Sequence, residues 1–224
     1  MSSATDPTRT SRTERLRASP PLSRSALVDR LIRVSPLAPV MVFAPVIAAF
    51  VVLAVDRMAV LAALAWAGAG LLAWTLTEYW LHRAVLHLEP ERGLGAKLHW
   101  MFHGAHHEHP NNPDFVVAPP VVSLPLGALF ALAFLLVLGA PAWLPFTAGF
   151  MAGYLAYDLT HYRLHQGRPR SPLGRRLREQ HMRHHFQDGE RSFGVTTPLW
   201  DHVFRTAGPR RRRLVRDPGT RTRR

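Results

Sequence analysis

The sequence predicts an all-α integral membrane protein in which four transmembrane helices are capped by a cytosolic, histidine-rich helical domain. Three observations in the 224 residues lead to this prediction: four long apolar stretches, 13 histidines that all lie outside them, and 28 basic residues against 15 acidic ones. Hydrophobic residues make up 47% of the chain although its net charge is +13, as expected if apolar and basic segments follow one another along the sequence.

The four apolar stretches are each long enough to cross a bilayer, which takes about 20 residues of α-helix. Asp56 and Arg57 separate the first two stretches, and Gly139, Ala140 and Pro141 separate the last two, so the spans are expected to form two hairpins. One such stretch would suit a buried helix of a soluble protein, but four of this length favour a membrane. The predicted spans cover residues 36–55, 58–81, 115–139 and 141–160.

The basic residues predict the orientation of these spans. Residues 1–34 hold seven arginines and three acids, and residues 161–224 hold seventeen arginines and five acids. An even number of spans places both ends and the 82–114 connection on one side, which the positive-inside rule assigns to the cytoplasm. Nucleic-acid binding is not expected, because no recognition motif accompanies the charge.

Composition also predicts a division of the chain into three parts. The basic segment 1–35 is expected to be largely disordered, and so is the arginine-rich tail 208–224, because both are polar and rich in charge. The membrane-embedded domain then covers residues 36–207. The absence of cysteine excludes disulfides and thiolate metal sites.

Ten of the 13 histidines fall into four short groups next to the predicted spans. Two groups share the pattern H-x-x-H-H, whose members at i, i+3 and i+4 are expected to point three imidazoles in one direction. His82 and His87 are five residues apart, which does not match one α-helical face, but they follow the second span, where a helix can end. The four groups are His82 and His87; His103, His106 and His107; His161 and His165; and His181, His184 and His185.

This clustering predicts a metal site made of imidazoles. About four to six ligands saturate one ion, so ten histidines predict two metal ions. Imidazole binds Fe, Zn, Cu and Ni, so the ligand type does not select the metal. Transport is disfavoured because the middles of the spans carry neither histidine nor charge. His109 and His202 are weaker ligand candidates, and the candidates for hydrogen-bonding partners that orient ligands are Glu78, Asp158, Asp201 and His99.

Four motifs resemble the fatty acid hydroxylase/sterol desaturase superfamily, and most closely the fatty acid 2-hydroxylases. They are EYWLHRAVLH at 78–87, HWMFHGAHHEHP at 99–110, YDLTHYRLH at 157–165 and HMRHHFQDGERSFGVTTPLWDHVFRT at 181–206. The resemblance covers about residues 36–206. It implies a membrane-bound non-haem enzyme whose ten histidines hold two metal ions, iron or in purified protein zinc, with O2 as co-substrate and no catalytic residue apart from the metal centre.

The resemblance implies hydroxylation of a lipid acyl chain, in a fatty acid or fatty-acyl lipid, at the 2-position. Eukaryotic members commonly carry a fused cytochrome b5 domain, for which the 35 residues before the first span are too few, so a separate electron donor of ferredoxin or cytochrome b5 type with its reductase is expected. The loop EHPNNPDFVVAPP at 108–120 departs from the family pattern. A sterol or carotenoid desaturase or hydroxylase, and a zinc-binding membrane protein without oxygenase activity, remain open alternatives.

Overall fold

The computed structural model describes residues 10–208, which form helices and turns but no strand. Residues 1–9 and 209–224, which include nearly all of the tail predicted to be disordered, lie outside the described part of the chain. The α-helices within it are α1 (Arg12–Arg17), α2 (Ala26–Ile32), α3 (Leu37–Val55), α4 (Val60–Trp80), α5 (Gly93–His99), α6 (Ala105–Glu108), α7 (Pro120–Leu138), α8 (Trp143–Gln166), α9 (Pro172–Phe186) and α10 (Leu199–Val203). Two π-helical segments, Leu81–Leu86 and Trp100–Gly104, and a 3-10 turn, Pro113–Phe115, complete the described elements.

Helix α8 lies at the centre of a bundle formed with α3, α4 and α7, and 13 of its 24 residues are buried. Two glycines allow α4 and α8 to approach closely. A Cβ atom at Gly149 would lie 1.9 Å from the carbonyl oxygen of Ala67, and one at Gly70 would lie 2.0 Å from that of Phe146. Backbone-to-backbone contact of this kind is typical of helices that pack within a membrane.

Three helical segments are long and apolar enough to cross a membrane: Leu37–Val55, Val60–Leu86 and Pro113–Leu138. They match the first three predicted spans. The fourth predicted span, 141–160, is helical within α8 but less apolar, because Gly149, Gly153, Tyr154, Tyr157 and Asp158 stand where a lipid-facing helix carries large aliphatic residues. The central position of α8 explains this composition, since the other three helices cover most of its surface.

The prediction of a largely disordered N-terminal segment needs correction for the described residues 10–35, which contain α1 and α2. Helix α1 begins with a capping box, in which Ser11 Oγ accepts from Glu14 N at 3.2 Å and Ser11 N donates to Glu14 Oε2 at 2.6 Å. Leu22 and Ile32 are buried in a cluster with Ala105 and Phe115. Composition did not reveal this because a few apolar residues in a polar segment are enough to anchor it.

This N-terminal segment is also held by hydrogen bonds to the connection between the histidine motifs and α7. His109 Nδ1 donates to Arg15 O at 2.7 Å, and Asn112 Nδ2 donates to Ala18 O at 2.9 Å. Arg33 pairs with Asp29 at 2.9 Å and lies 4.9 Å above the ring of Phe115. The segment therefore packs against the histidine-rich end of the bundle, and His109 serves to attach it.

Candidate metal centre

His82 and His87 meet because the chain adopts a π-helical turn directly after α4. In a π-helix the hydrogen bonds join residues i and i+5, and His87 N donates to His82 O at 3.2 Å. The two rings, five residues apart in sequence, consequently lie with their centroids 5.0 Å apart. The spacing that fits no α-helical face is thus explained by an extra residue in the turn.

Each H-x-x-H-H motif divides its histidines between two sites, which corrects the expectation of three imidazoles in one direction. The outer histidines, i and i+4, stay together: ring centroids are 4.4 Å apart for His103 and His107, and 4.7 Å apart for His181 and His185. The middle histidine turns away, because adjacent residues of a helix such as α9 point about 100° apart. His184 accordingly packs 4.7 Å from His82 instead.

The ten predicted ligands form two neighbouring groups, and within each group the candidate ligand nitrogens lie within 4.8 Å of one another. The groups are adjacent, since the rings of His107 and His185, one from each, stack at 4.2 Å. Among the described residues, each group consists of five histidines and no carboxylate. Group 1 is His82, His87, His103, His107 and His184; group 2 is His106, His161, His165, His181 and His185.

The three remaining histidines lie outside both groups. His99 approaches His103 with ring centroids 6.4 Å apart but contributes no candidate ligand atom. His109 contacts the N-terminal segment, and His202 is exposed on α10, where its Nε2 lies 3.4 Å from Arg176.

The ring nitrogens of the two groups are suited to bind metal cations. His184 Nδ1 donates to Arg191 O at 2.7 Å, and because a carbonyl only accepts, the neutral ring keeps a lone pair on Nε2. That Nε2 faces His87 Nε2 at 2.9 Å, and His103 Nε2 approaches His87 Nε2 at 3.1 Å. In group 2, His181 Nε2 lies 2.7 Å from His165 Nε2 and 3.2 Å from His185 Nε2. Nitrogens that converge in this way could hold a metal ion between them.

Burial keeps these histidines neutral, as metal ligation requires. Desolvation, followed by the charge of His184, lowers the pKa of His87 to about 4. Desolvation is also the main reason why the pKa values of His106, His181 and His185 lie far below the usual range. The Nδ1 atoms of these three rings have no hydrogen-bond partner within the described part of the chain.

The predicted carboxylate partners act on the site through the backbone rather than on a histidine ring. Glu78 accepts from Val195 N at 2.6 Å and Thr196 N at 2.9 Å, so it fixes the loop that follows α9. Asp201 accepts from the amide nitrogens of Phe193 at 2.9 Å and Gly194 at 3.0 Å.

Asp158, the third predicted carboxylate partner, hydrogen-bonds to groups of the helical bundle. It accepts from Tyr154 Oη at 2.8 Å and Ala118 N at 3.2 Å, so it ties α8 to the start of α7.

Two backbone carbonyls that the sequence does not reveal orient the rings of group 1. Phe193 O accepts from His82 Nδ1 at 2.6 Å, and Arg191 O accepts from His184 Nδ1. Both carbonyls belong to the 187–197 loop. The sequence points to this loop only because it lies inside the motif at 181–206. Backbone groups have no residue type of their own, so spacing cannot identify them.

An apolar cavity of about 290 Å³ opens onto both histidine groups. His82 and His103 of group 1 and His106 and His161 of group 2 line the end nearest the candidate metal centre. The rest of the wall comes from α3, α4, α7, α8, the two π-helical segments, the 114–119 connection and the N-terminal segment. It includes Leu22, Ile32, Phe43, Trp74, Leu126, Gly127, Phe130, Phe150 and Met151. The cavity therefore connects two clusters of imidazoles with a space suited to a hydrocarbon chain.

Comparison with known proteins agrees with this architecture. A dihydroceramide fatty acyl 2-hydroxylase of Arabidopsis thaliana is 39% identical over 142 residues, which cover 61% of this chain and 58% of that protein. The fatty acid 2-hydroxylase of Rattus norvegicus is 36% identical over 143 residues, which cover 62% of this chain and 38% of the relative. The hydroxylase domain visible in the structure of full-length scs7p aligns with a TM-score of 0.76 and 30% identity, over 81% of this chain and 70% of that one.

The chain thus spans between about two fifths and three fifths of the length of these two sequence relatives. The family model described as "Fatty acid hydroxylase" matches residues 67–206, which contain all ten histidines of the two groups and both carboxylates that hold the 187–197 loop. That match covers more than half of the sequence. The chain therefore belongs to the fatty acid hydroxylase family.

Proposed function

We propose that this protein is a membrane-bound non-haem di-metal oxygenase that hydroxylates a lipid acyl chain. The observation that carries the proposal is the cavity, because histidines of both groups line one end of it and mostly apolar side chains line the rest. The family membership and the names of the relatives, which are fatty acyl and fatty acid 2-hydroxylases, support the same reaction.

Two iron ions held by groups 1 and 2 would supply the reduction of O2 and the oxidation of a C–H bond, which side chains alone cannot perform. The overall reaction consumes one C–H bond, O2, two electrons and two protons, and yields one C–OH group and one water. The chain's own residues hold the ligands neutral by burial and orient His82 and His184 through carbonyl oxygens. The rings of Trp74, Phe43 and Phe150 contribute to an apolar wall around the substrate chain.

The 2-position fits a lipid whose polar head stays at the histidine-rich end while its tail enters the bundle. Carbon 2 is next to the head group, so it lies beside the histidines when the tail occupies the apolar part of the cavity. We propose four crossings, with α8 as the central one, and a cytoplasmic location for this end and both termini, as the positive-inside rule predicts. The support is the concentration of arginine in the terminal segments.

The two electrons are proposed to come from a separate acidic carrier protein of ferredoxin or cytochrome b5 type. A groove on the outer face of α9 is lined by four arginines and one acid, namely Arg168, Arg175, Arg178, Arg183 and Glu179. Helix α9 carries three of the candidate ligands on its other face, so a carrier in this groove would be separated from them by about one helix diameter, on the order of 10 Å. Charge complementarity favours an acidic partner there.

The position of the groove relative to the spans favours a protein over lipid head groups. Asp158 accepts a hydrogen bond from Ala118 N, just before α7. Along the bundle axis, Asp158 therefore lies at about the same height as the start of α7. Gln166 lies eight residues farther along α8, which is about 12 Å beyond that level. Arg178 of the groove donates to Leu164 O at 2.9 Å, six residues beyond Asp158 on α8, so the groove lies at the histidine-rich end of the bundle.

Expression with iron followed by lipid mass spectrometry tests the proposed reaction. We expect one additional oxygen atom per acyl chain with the wild-type protein and none with His184→Ala, whereas His202→Ala, which changes an exposed histidine outside both groups, should retain the product. Unchanged lipids despite two bound metal ions and a competent reductase would contradict the proposal. Loss of two hydrogens without gain of oxygen would identify the desaturase alternative.

A further inference from the structure

We infer that Gly127 on α7, together with Phe43 and Met151, sets the maximum length of the acyl chain that the cavity accepts. The inference rests on the proposed function and concerns the specificity of the same site. Three observations carry it: the depth of these residues in the bundle, the rings that close the cavity beyond them, and the space that the absence of a side chain at Gly127 leaves.

Gly127 lies at the end of the cavity far from the histidines. It follows Pro120, the first residue of α7, by seven residues, which places it about 10 Å along the helix. Met151 precedes His161 on α8 by ten residues, or about 15 Å. Both residues line the cavity, so this end receives the terminal carbons of a chain whose head lies at the metal centre.

Aromatic rings close the cavity at this depth. The rings of Phe130 and Phe150 lie 4.9 Å apart, and those of Phe43 and Tyr154 lie 4.7 Å apart. Phe134 packs against Phe150 at 4.9 Å but does not line the cavity, so the bundle is filled beyond this layer. A longer acyl chain that continues in this direction meets these rings.

The missing side chain at Gly127 keeps the last part of the cavity open. A Cβ atom there would lie 3.4 Å from Phe43 Cε1 and 3.5 Å from Met151 Cε, which is ordinary contact, so alanine fits without displacement. A larger side chain must occupy the cavity or push Phe43 and Met151 into it. Gly127 does not have a positive φ, so the backbone does not require glycine, and glycine is a poor helix former. The residue is therefore explained by the space it provides.

The test uses a graded series of saturated fatty acids, supplied free and as N-acyl sphingoid lipids, with the metal-loaded full-length protein. Gly127→Leu should shift hydroxylation to shorter chains, with a loss in kcat/KM of about tenfold or more for each methylene that no longer fits. Gly127→Ala should give a smaller shift in the same direction. Phe130→Ala, which removes a ring from the closed end, should extend the accepted range.

Gly68→Leu is the matched control, because Gly68 is exposed on α4 with no atom within 4 Å of a Cβ placed there, and it should leave the chain-length profile unchanged. A second readout does not depend on turnover: the longest fatty acid that raises the thermal midpoint of the metal-free protein should shorten in Gly127→Leu. If the wild type forms no hydroxylated lipid, the proposed function fails, while this binding readout still tests Gly127. An unchanged length limit in folded Gly127→Leu and Phe130→Ala proteins would overturn the inference.

Discussion

His82 donates from Nδ1 to the carbonyl oxygen of Phe193 at 2.6 Å, and this bond joins the end of α4 to the 187–197 loop. The loop is held from two directions. Glu78, one helical turn before His82, accepts from the amides of Val195 and Thr196, and Asp201 accepts from the amide of Phe193. The orientation of a candidate metal ligand thus depends on two buried carboxylates whose hydrogen bonds go to the backbone and to threonine.

Glu78→Gln should weaken metal binding without removing a ligand. The amide keeps the size of the side chain but presents an N–H group to a loop that offers donors, so the position of the Phe193 carbonyl is no longer fixed. Loss of an outer partner of a ligating histidine typically lowers metal affinity by about 10- to 100-fold. Metal retention during dialysis against a graded chelator measures the effect. Glu91→Gln, the same change at an exposed residue, should behave as wild type.

The division of each H-x-x-H-H motif between the two groups predicts which histidine substitutions share a metal. His103 and His107 belong to group 1, whereas His106 belongs to group 2. The double variant His103→Ala/His107→Ala should therefore keep about half of the wild-type metal content by elemental analysis, because group 2 retains all its ligands. His103→Ala/His106→Ala removes one ligand from each group and should weaken both sites. Equal losses of one metal in the two double variants would contradict the division.

Acidification should destabilise the metal-free protein. The unfolded chain binds protons near the ordinary histidine pKa of about 6.5, whereas burial, followed by the charge of His184, lowers the pKa of His87 to about 4 in the folded protein. Between these values the unfolded state holds more protons, so stability falls as the pH falls, by about 1.4 kcal/mol per pH unit for each such histidine.

Thermal unfolding of the metal-free protein in detergent, followed as a function of pH, measures this slope. His87→Gln removes one titrating group and should make the decline shallower by about one proton. Leu88→Gln introduces the same residue at an exposed position without a titratable group and should keep the wild-type slope. A stability that does not depend on pH between about 6.5 and 4 would be inconsistent with neutral, buried histidines.

Reversing charge in the α9 groove should weaken electron delivery and leave the metal centre intact. Arg175 is exposed in the groove, so Arg175→Glu should raise the KM for an acidic carrier protein and reduce the salt dependence of its binding, while metal content stays unchanged. Arg92→Glu applies the same charge change at an exposed residue outside the groove and serves as the control. If both variants bind the carrier equally well, or only anionic vesicles distinguish them, the groove is not its docking site.

The sequence was informative where function depends on residue type. Length and apolarity predicted the first three spans, and histidine spacing selected the ten residues that the structure gathers into two groups. The assignment of each histidine to group 1 or group 2 could not be predicted, because it depends on how α9 and the π-helical segments lie against each other. The π turn between His82 and His87 has no signature in residue types.

Long-range contacts account for the other differences. The packing of Leu22 and Ile32 against Phe115 is decided by tertiary contacts that composition does not contain. The lower apolarity of α8 is understandable only once its central position is known, since a helix covered by three others needs few lipid-facing side chains. Asp158 stands one turn before His161, yet its bonds to Tyr154 and Ala118 stabilise the bundle.

The origin of the hydroxyl oxygen tests the central claim most directly. Purified protein loaded with iron is reconstituted in vesicles with a saturated fatty acyl lipid, an electron carrier and its reductase, under isotopically labelled O2. If the two histidine groups hold a metal pair that oxidises the chain in the adjoining cavity, the product carries one labelled oxygen at carbon 2, and His184→Ala forms none. An unlabelled hydroxyl group, or no hydroxylation although two metal ions are bound, would contradict the account.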